Sequence, residues 1–135
     1  GAGDDNMIYR AGDNDTYNGG EGTDTLLLDG EAISLDFVDA LSADYVNPAN
    51  VNDVEMLSIS GTGANQVTLD QASIIDLTDA ANELFVDGDQ GDTVTISGEA
   101  TVVGTTTVGT TTYDIYDFGG TATLNIDEQV NVDII

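Results

Sequence analysis

The sequence predicts an all-β chain. It should open as a parallel β-roll or β-solenoid and continue as a degenerate solenoid or a β-sandwich-like C-terminal cap, with at most one short helix. Three observations predict this. Single apolar residues recur nine apart at Ile8, Tyr17, Leu26 and Leu35. Gly- and Asp-rich stretches fill the intervals between the first three. The rest of the chain is a series of short apolar–polar alternations, the period of half-buried strands.

The opening stretch, residues 1–30, carries the repeat. Its cleanest copy reads Gly19-Gly20-Glu21-Gly22-Thr23-Asp24-Thr25-Leu26-Leu27, a match to the nonapeptide G-G-x-G-x-D-x-U-x of calcium-binding parallel β-helices. The preceding copy, Arg10 to Asn18, keeps Asp15 at the sixth place and Tyr17 at the eighth, but has Asp13 where the fourth Gly belongs. The first copy, Gly1 to Tyr9, carries Asn6 in the Asp slot, beside Asp4 and Asp5. In such a unit Gly and Asp turn the chain, because Gly reaches positive φ at no steric cost and Asp or Asn tolerates it. Three residues then run as a strand whose middle, apolar member points inward. A solvated acidic linker has no reason to keep this frame.

Stacked turns of this kind line up carboxylates and main-chain carbonyls, the hard oxygens that calcium takes in sets of about six to eight. The candidate ligands are Asp4, Asp5, Asn6, Asp13, Asn14, Asp15 and Asp24, with Gly20 and Gly22 in the turn. Without a cation these carboxylates repel one another, so metal binding and folding should be one event.

Residues 31–135 form the second part, continuous with the repeats. Ile33, Leu35 and Phe37 alternate with polar residues as a half-buried strand, and Pro48 closes what precedes it. Further strand signals lie at Leu57–Ile59, Val67–Leu69, Leu84–Val86, Val94–Ile96, Leu124–Ile126 and Val130–Val132. The segment Asp70 to Leu77 is the only plausible helix. The Thr-rich run 101–112, with Gly104 and Gly109, reads as a hairpin or an irregular insertion.

The nine-residue frame returns twice in this part. Ser60 to Thr68 has Gly61, Gly63, Asn65 and Val67 at places two, four, six and eight, lacks a carboxylate and should be metal-free. Asp87 to Thr95 has Gly88, Asp92 and Val94 in frame and three carboxylates, Asp87, Asp89 and Asp92. It suits an additional calcium site or an ordinary acidic β-turn. It is not an EF-hand, since Gly98 stands where a bidentate Glu belongs. Asp36, Asp39, Asp44, Asp53 and Asp70 read as solvated surface, and Tyr113, Tyr116 and Phe118 as core or edge aromatics. Glu55 faces the same way as Leu57 and Ile59 and should be paired or at an edge.

Composition sets the outer limits. The 135 residues hold 26 acidic side chains against one Arg, with no Lys, His or Cys, for a formal charge of -25. Nucleic acid and anionic membranes are disfavoured as partners, whereas divalent cations are favoured. Disulfides and thiolate zinc sites are excluded. No apolar run approaches the ~18 residues of a membrane helix. An enzyme is not expected: Ser–His and Cys–His systems are excluded by inventory, and nothing in the spacing singles out a carboxylate pair. A monomer is expected. The opening in mid-repeat, without a signal peptide, is expected of a C-terminal piece of a longer protein.

The opening repeats resemble those of RTX proteins, the calcium-binding exports of Gram-negative type I secretion systems. The remainder resembles the type I secretion C-terminal target domain of large RTX adhesins. That second resemblance rests on Leu35-Asp36-Phe37, on the segments Val54 to Asn65 and Leu84 to Val94, and on the closing Val130-Asn131-Val132-Asp133-Ile134-Ile135. Together the two cover nearly the whole chain. They imply a secreted or cell-surface protein whose tail is an uncleaved export signal read by an inner-membrane ABC transporter. The competing reading is a calcium-dependent structural or adhesive solenoid, or the tail of an RTX enzyme or toxin.

Overall fold

The computed structural model describes residues 2–10 and 15–135. The described chain is all-β apart from one short α-helix and one 3-10 turn, Pro48–Asn50. The strands in order are β1 (Asn6–Arg10), β2 (Tyr17–Asn18), β3 (Thr25–Asp29), β4 (Ser34–Asp36), β5 (Val51–Asn52), β6 (Met56–Ser58) and β7 (Gln66–Leu69). After the helix α1 (Gln71–Leu77) come β8 (Glu83–Asp87), β9 (Thr93–Ile96), β10 (Thr101–Val108), β11 (Thr111–Phe118), β12 (Ala122–Asp127) and β13 (Asn131–Ile134).

The chain alternates between two main sheets. One is seven-stranded and mixed, in the order β1-β3-β6-β8-β12-β11-β10; the other is four-stranded and wholly parallel, β13-β9-β7-β4. Leaving β3, the chain visits β4 and returns at β6, parallel to β3. It then visits β7 beside β4 and returns at β8, and visits β9 beside β7 before re-entering the first sheet at its edge, β10, and doubling back through β11 to β12 beside β8. Each circuit thus lands beside the previous one. The short strands β2 and β5 pair in parallel as a third, two-stranded sheet.

The alternating pattern explains why these segments settle as strands with one dry face. Leu26, Leu28, Leu57, Ile59, Leu84, Val86, Leu124 and Ile126 from the first sheet and Leu35, Val67, Leu69, Val94 and Ile96 from the second share one buried cluster. That core runs from Tyr9 to Val130, so residues 1–30 and 31–135 are packed together. A buried Leu or Ile contributes about 1.5–3 kcal/mol relative to exposure, and each circuit adds two or three to the shared cluster.

One inward position differs from the expectation. Ile8 is 48% exposed, and Tyr9 is buried in its place. The reason is register: β1 pairs with β3 as Met7↔Leu26, Ile8↔Leu27 and Tyr9↔Leu28. The offset is 19 residues, one more than two nonapeptides, and a one-residue slip moves every side chain of a strand to the other face.

The helix forms where expected because Asp70 caps it. Asp70 Oδ1 accepts from Ser73 N at 2.7 Å while Ser73 Oγ accepts from Asp70 N at 2.8 Å, a reciprocal capping box. Ile74 and Leu77 are buried, packing α1 against β5, β8 and β12. The run 101–112 belongs to an antiparallel hairpin, β10–β11, that turns at Gly109 with φ +63°. Its outer strand β10 is uncharged and exposed along nearly its whole length. No helix among the described residues is long and apolar enough to cross a membrane.

Candidate metal centre

Where the circuits bend into the strands, buried polar side chains stack in two columns. The first precedes β1, β3 and β6. Asp5 N donates to Asp24 Oδ1 at 2.8 Å, and Asp24 N donates to Glu55 Oε2 at 2.9 Å. Main-chain bonds run alongside: Thr25 N donates to Asp5 O, and Met56 N to Asp24 O. The next place in this column is Leu84, because Met56 pairs with Phe85. The column therefore ends at Glu55.

The second column precedes β4, β7 and β9. Ile33 N donates to Asn65 Oδ1 at 2.8 Å, and Asn65 N donates to Asp92 Oδ1 at 2.9 Å. Asp92 Oδ2 accepts from Asp89 N at 2.7 Å. Both columns use a side-chain oxygen to satisfy a backbone N–H of the preceding circuit, a donor that burial would otherwise orphan.

Place six of the nonapeptide frame thus holds Asp24, Asn65 and Asp92 in three comparable turns, and their free ends differ. Asn65 Nδ2 donates to the carbonyls of Ile59 at 2.9 Å and Gly61 at 3.1 Å. An amide nitrogen thereby binds the carbonyls of its own turn. In the Asp24 turn the same end is an anionic oxygen. Asp24 is fully buried, and its Oδ2 has no hydrogen-bond partner from the protein. Glu55 Oε1 is likewise buried without one.

The surroundings of Asp24 Oδ2 are oxygen-rich. A Cβ placed on Gly19 would lie 2.4 Å from Asp24 Oδ2 and 2.1 Å from the carbonyl oxygen of Asp53. Both oxygens therefore converge on the space that only glycine leaves open there. Burial raises the Glu55 pKa, opposed by the hydrogen bond from Asp24 N, and the charges of Asp79, Asp24 and Asp53 raise it further. Two carboxylate oxygens and a carbonyl in a site this acidic fit a hard cation. Among the described residues no three acidic side chains form a carboxylate cage, so main-chain oxygens such as that of Asp53 would complete the shell.

The other expected ligands are placed as follows. Asp4 is exposed, with Oδ1 accepting from Thr23 N at 2.8 Å. Asp5, one residue ahead of Asn6, stands level with Asp24; Asn6 opens β1 and is exposed. Asp15 is exposed, and Asp13 and Asn14 lie outside the described residues. Gly20 and Gly22 both take positive φ, at 92° and 129°. A side chain at Gly22 would meet the carbonyl of Gly3 at 2.6 Å, so this turn is packed directly on the first circuit. Asp92 lies in the second column, Asp89 is exposed, and Asp87 points to the outer face of the first sheet.

The nonapeptide motif does not single out Glu55. It falls outside any nonapeptide copy, and its signal is only that an acidic residue occupies an otherwise apolar alternation. Asp127 also falls outside any nonapeptide copy, and it occupies a polar place in the alternation of β12. Burial, a hydrogen bond with Asp127 and the charges of Asp127 and Asp89 push the Asp87 pKa up to about 6. No family model, curated protein or solved structure matches this chain.

Proposed function

We propose that the chain is a calcium-stabilised export module of an RTX adhesin. In this reading the two-sheet stack of circuits is a parallel β-solenoid, with the β10–β11 hairpin as an insertion near its C-terminal end. The chain stays loosely folded in the low-calcium cytosol. A type I secretion ABC transporter reads an uncleaved signal in residues 113–135, and calcium folds the chain outside the cell.

The observation that carries the calcium part is the contrast between Asp24 and Asn65. The amide nitrogen of Asn65 serves turn carbonyls, whereas the corresponding Asp24 oxygen is buried without a protein partner beside the carbonyl of Asp53. An unpaired buried carboxylate oxygen is costly, and a cation removes the cost where no N–H is supplied. The chain's single basic side chain, Arg10, is engaged with Asp29 at 3.2 Å. The counter-charge must therefore come from solution. The export part is supported by the resemblance of the closing segment.

The test fuses residues 1–135 to an unrelated passenger in a host with a type I transporter. Secretion should require both the transporter and the segment 130–135, while calcium should raise the stability of the exported module. Export unchanged by loss of the transporter would refute the secretion reading. A circular dichroism spectrum and melting temperature unchanged by excess chelator would refute the calcium reading.

A further inference from the structure

A second group of carboxylates lies away from the columns, on the outer face of the seven-stranded sheet. Strands β8 and β12 are parallel neighbours in the register Leu84↔Leu124, Phe85↔Asn125 and Val86↔Ile126. Leu84, Val86, Leu124 and Ile126 are buried in the core, so Phe85, Asp87, Asn125 and Asp127 project from the opposite face. Continuing the register sets Asp127 beside Asp87. On the far side of β12, Tyr113 of β11 pairs with Asp127.

Part of this outer face is closed over. Asp127 is 3% exposed and Asn125 1%. The rings of Phe85 and Tyr113 meet edge to face at 5.1 Å, spanning the row that holds Asn125 and the row that holds Asp127. Asp127 Oδ1 accepts from Gln129 N at 3.0 Å, which leaves its second oxygen to face Asp87. The notable member is Asn125. Both its Oδ1 and its Nδ2 are buried with no hydrogen-bond partner, although a buried amide is normally satisfied. Its neighbours in the row, Phe85 and Ile115, offer no polar side-chain group.

Two adjacent carboxylates, one buried and one half-buried, repel unless they share a proton or a counter-charge. The sequence has no Lys and no His, and its one Arg is paired with Asp29 on β3. No side-chain cation is available to Asp87 and Asp127. We propose that a divalent cation, calcium by the hardness of the donors, binds between β8 and β12, held by the carboxylates of Asp87 and Asp127 and the amide oxygen of Asn125. The site differs from the turn 87–92, because Asp92 is committed to the second column and Asp127 and Asn125 come from a different circuit. Its role is to fasten β12 to β8 where the sheet changes from parallel to antiparallel pairing. It stands independently of export.

The test uses the full chain, stripped with chelator and titrated with calcium by calorimetry, and separately with terbium, a calcium surrogate excited through a nearby tyrosine. Asp127→Asn keeps the acceptor for Gln129 N, and Asp87→Asn alters a half-buried side chain, so at least one variant will fold. Either should bind one calcium fewer or bind that calcium at least about tenfold more weakly. Terbium emission should fall in both, and by the same amount in Tyr113→Phe, which retains the edge-to-face contact. Asn125→Leu should also weaken this ion. Parental stoichiometry, affinity and emission in Asp87→Asn and Asp127→Asn would overturn the proposal. So would a fall in melting temperature that is equal with and without calcium at unchanged stoichiometry. Loss of a calcium in Glu55→Gln but not in Asp127→Asn would overturn this site while leaving the Asp24–Glu55 reading intact.

Discussion

Replacing Asp24 with Asn tests the metal centre most directly, because the expected sign is opposite to that of most buried substitutions. Asn keeps the acceptor for Asp5 N and converts the unpartnered Oδ2 into an N–H2 group facing the Asp53 carbonyl, the chemistry Asn65 already uses. An unsatisfied buried polar group costs about 1–3 kcal/mol. With an unfolding entropy of ~2.1 cal/mol/K per residue, 1 kcal/mol moves the melting temperature of a chain this long by roughly 3–4 °C. In chelator, Asp24→Asn should therefore melt about 4–10 °C above the parent. At a calcium concentration one hundred times the dissociation constant, the parent gains about 2.7 kcal/mol per site, and the variant loses that gain. Differential scanning calorimetry should show the variant's lead in chelator closing or reversing in calcium. A variant that melts below the parent in chelator, or that keeps the full calcium-induced rise, would refute the reasoning.

Asn65→Asp is the reciprocal change and should lower stability in chelator by about 1–3 kcal/mol, with part of the loss restored by calcium; equal losses in both conditions would argue against a shared turn chemistry. Gly19→Ala should destabilise the protein whether or not calcium is present, since its Cβ would fall 2.1 Å from the Asp53 carbonyl, and chemical denaturation will read the loss. Stability in chelator should fall as pH rises from 3.8 to about 6, because folded Asp87 holds its proton more tightly than the unfolded chain does, and a carboxyl with a raised folded-state pKa favours folding only while protonated. Glu55, also raised, acts in the same direction. Calcium should flatten this slope, as melting curves across that range will show.

Much of the fold was legible because it is written locally. The alternations around Leu57, Val67, Leu84 and Val94 became strands with those residues buried. The segment Asp70 to Leu77 became the α-helix expected there, and Asp70, read as solvated surface, is its cap. The frame that singled out Asp24, Asn65 and Asp92 found three members of the two columns. What was hidden depends on register between distant segments. The slip that buries Tyr9 instead of Ile8 comes from how β1 lies against β3, and nothing within residues 1–10 encodes it. Glu55 joins Asp24 across 31 residues, and Asp127 meets Asp87 across the whole β10–β11 hairpin. Spacing in the chain gives no hint of either meeting, because the circuits differ in length while the strands they deliver stay aligned.

The acceptor columns also have an arrow. In each of their four links the donor is a main-chain N–H of an earlier circuit and the acceptor is a side chain of the next: Asp5 to Asp24, Asp24 to Glu55, Ile33 to Asn65, Asn65 to Asp92. Cutting circuits from the N-terminal side strips donors and leaves an oxygen that water can solvate. Cutting from the C-terminal side strips acceptors and leaves backbone N–H groups that must pair or stay solvated. The two ends are therefore unequal as starting points for assembly. A later circuit offers its predecessor side-chain acceptors, whereas an earlier circuit offers its successor main-chain carbonyls, as Asp5 O does for Thr25 N and Asp24 O for Met56 N.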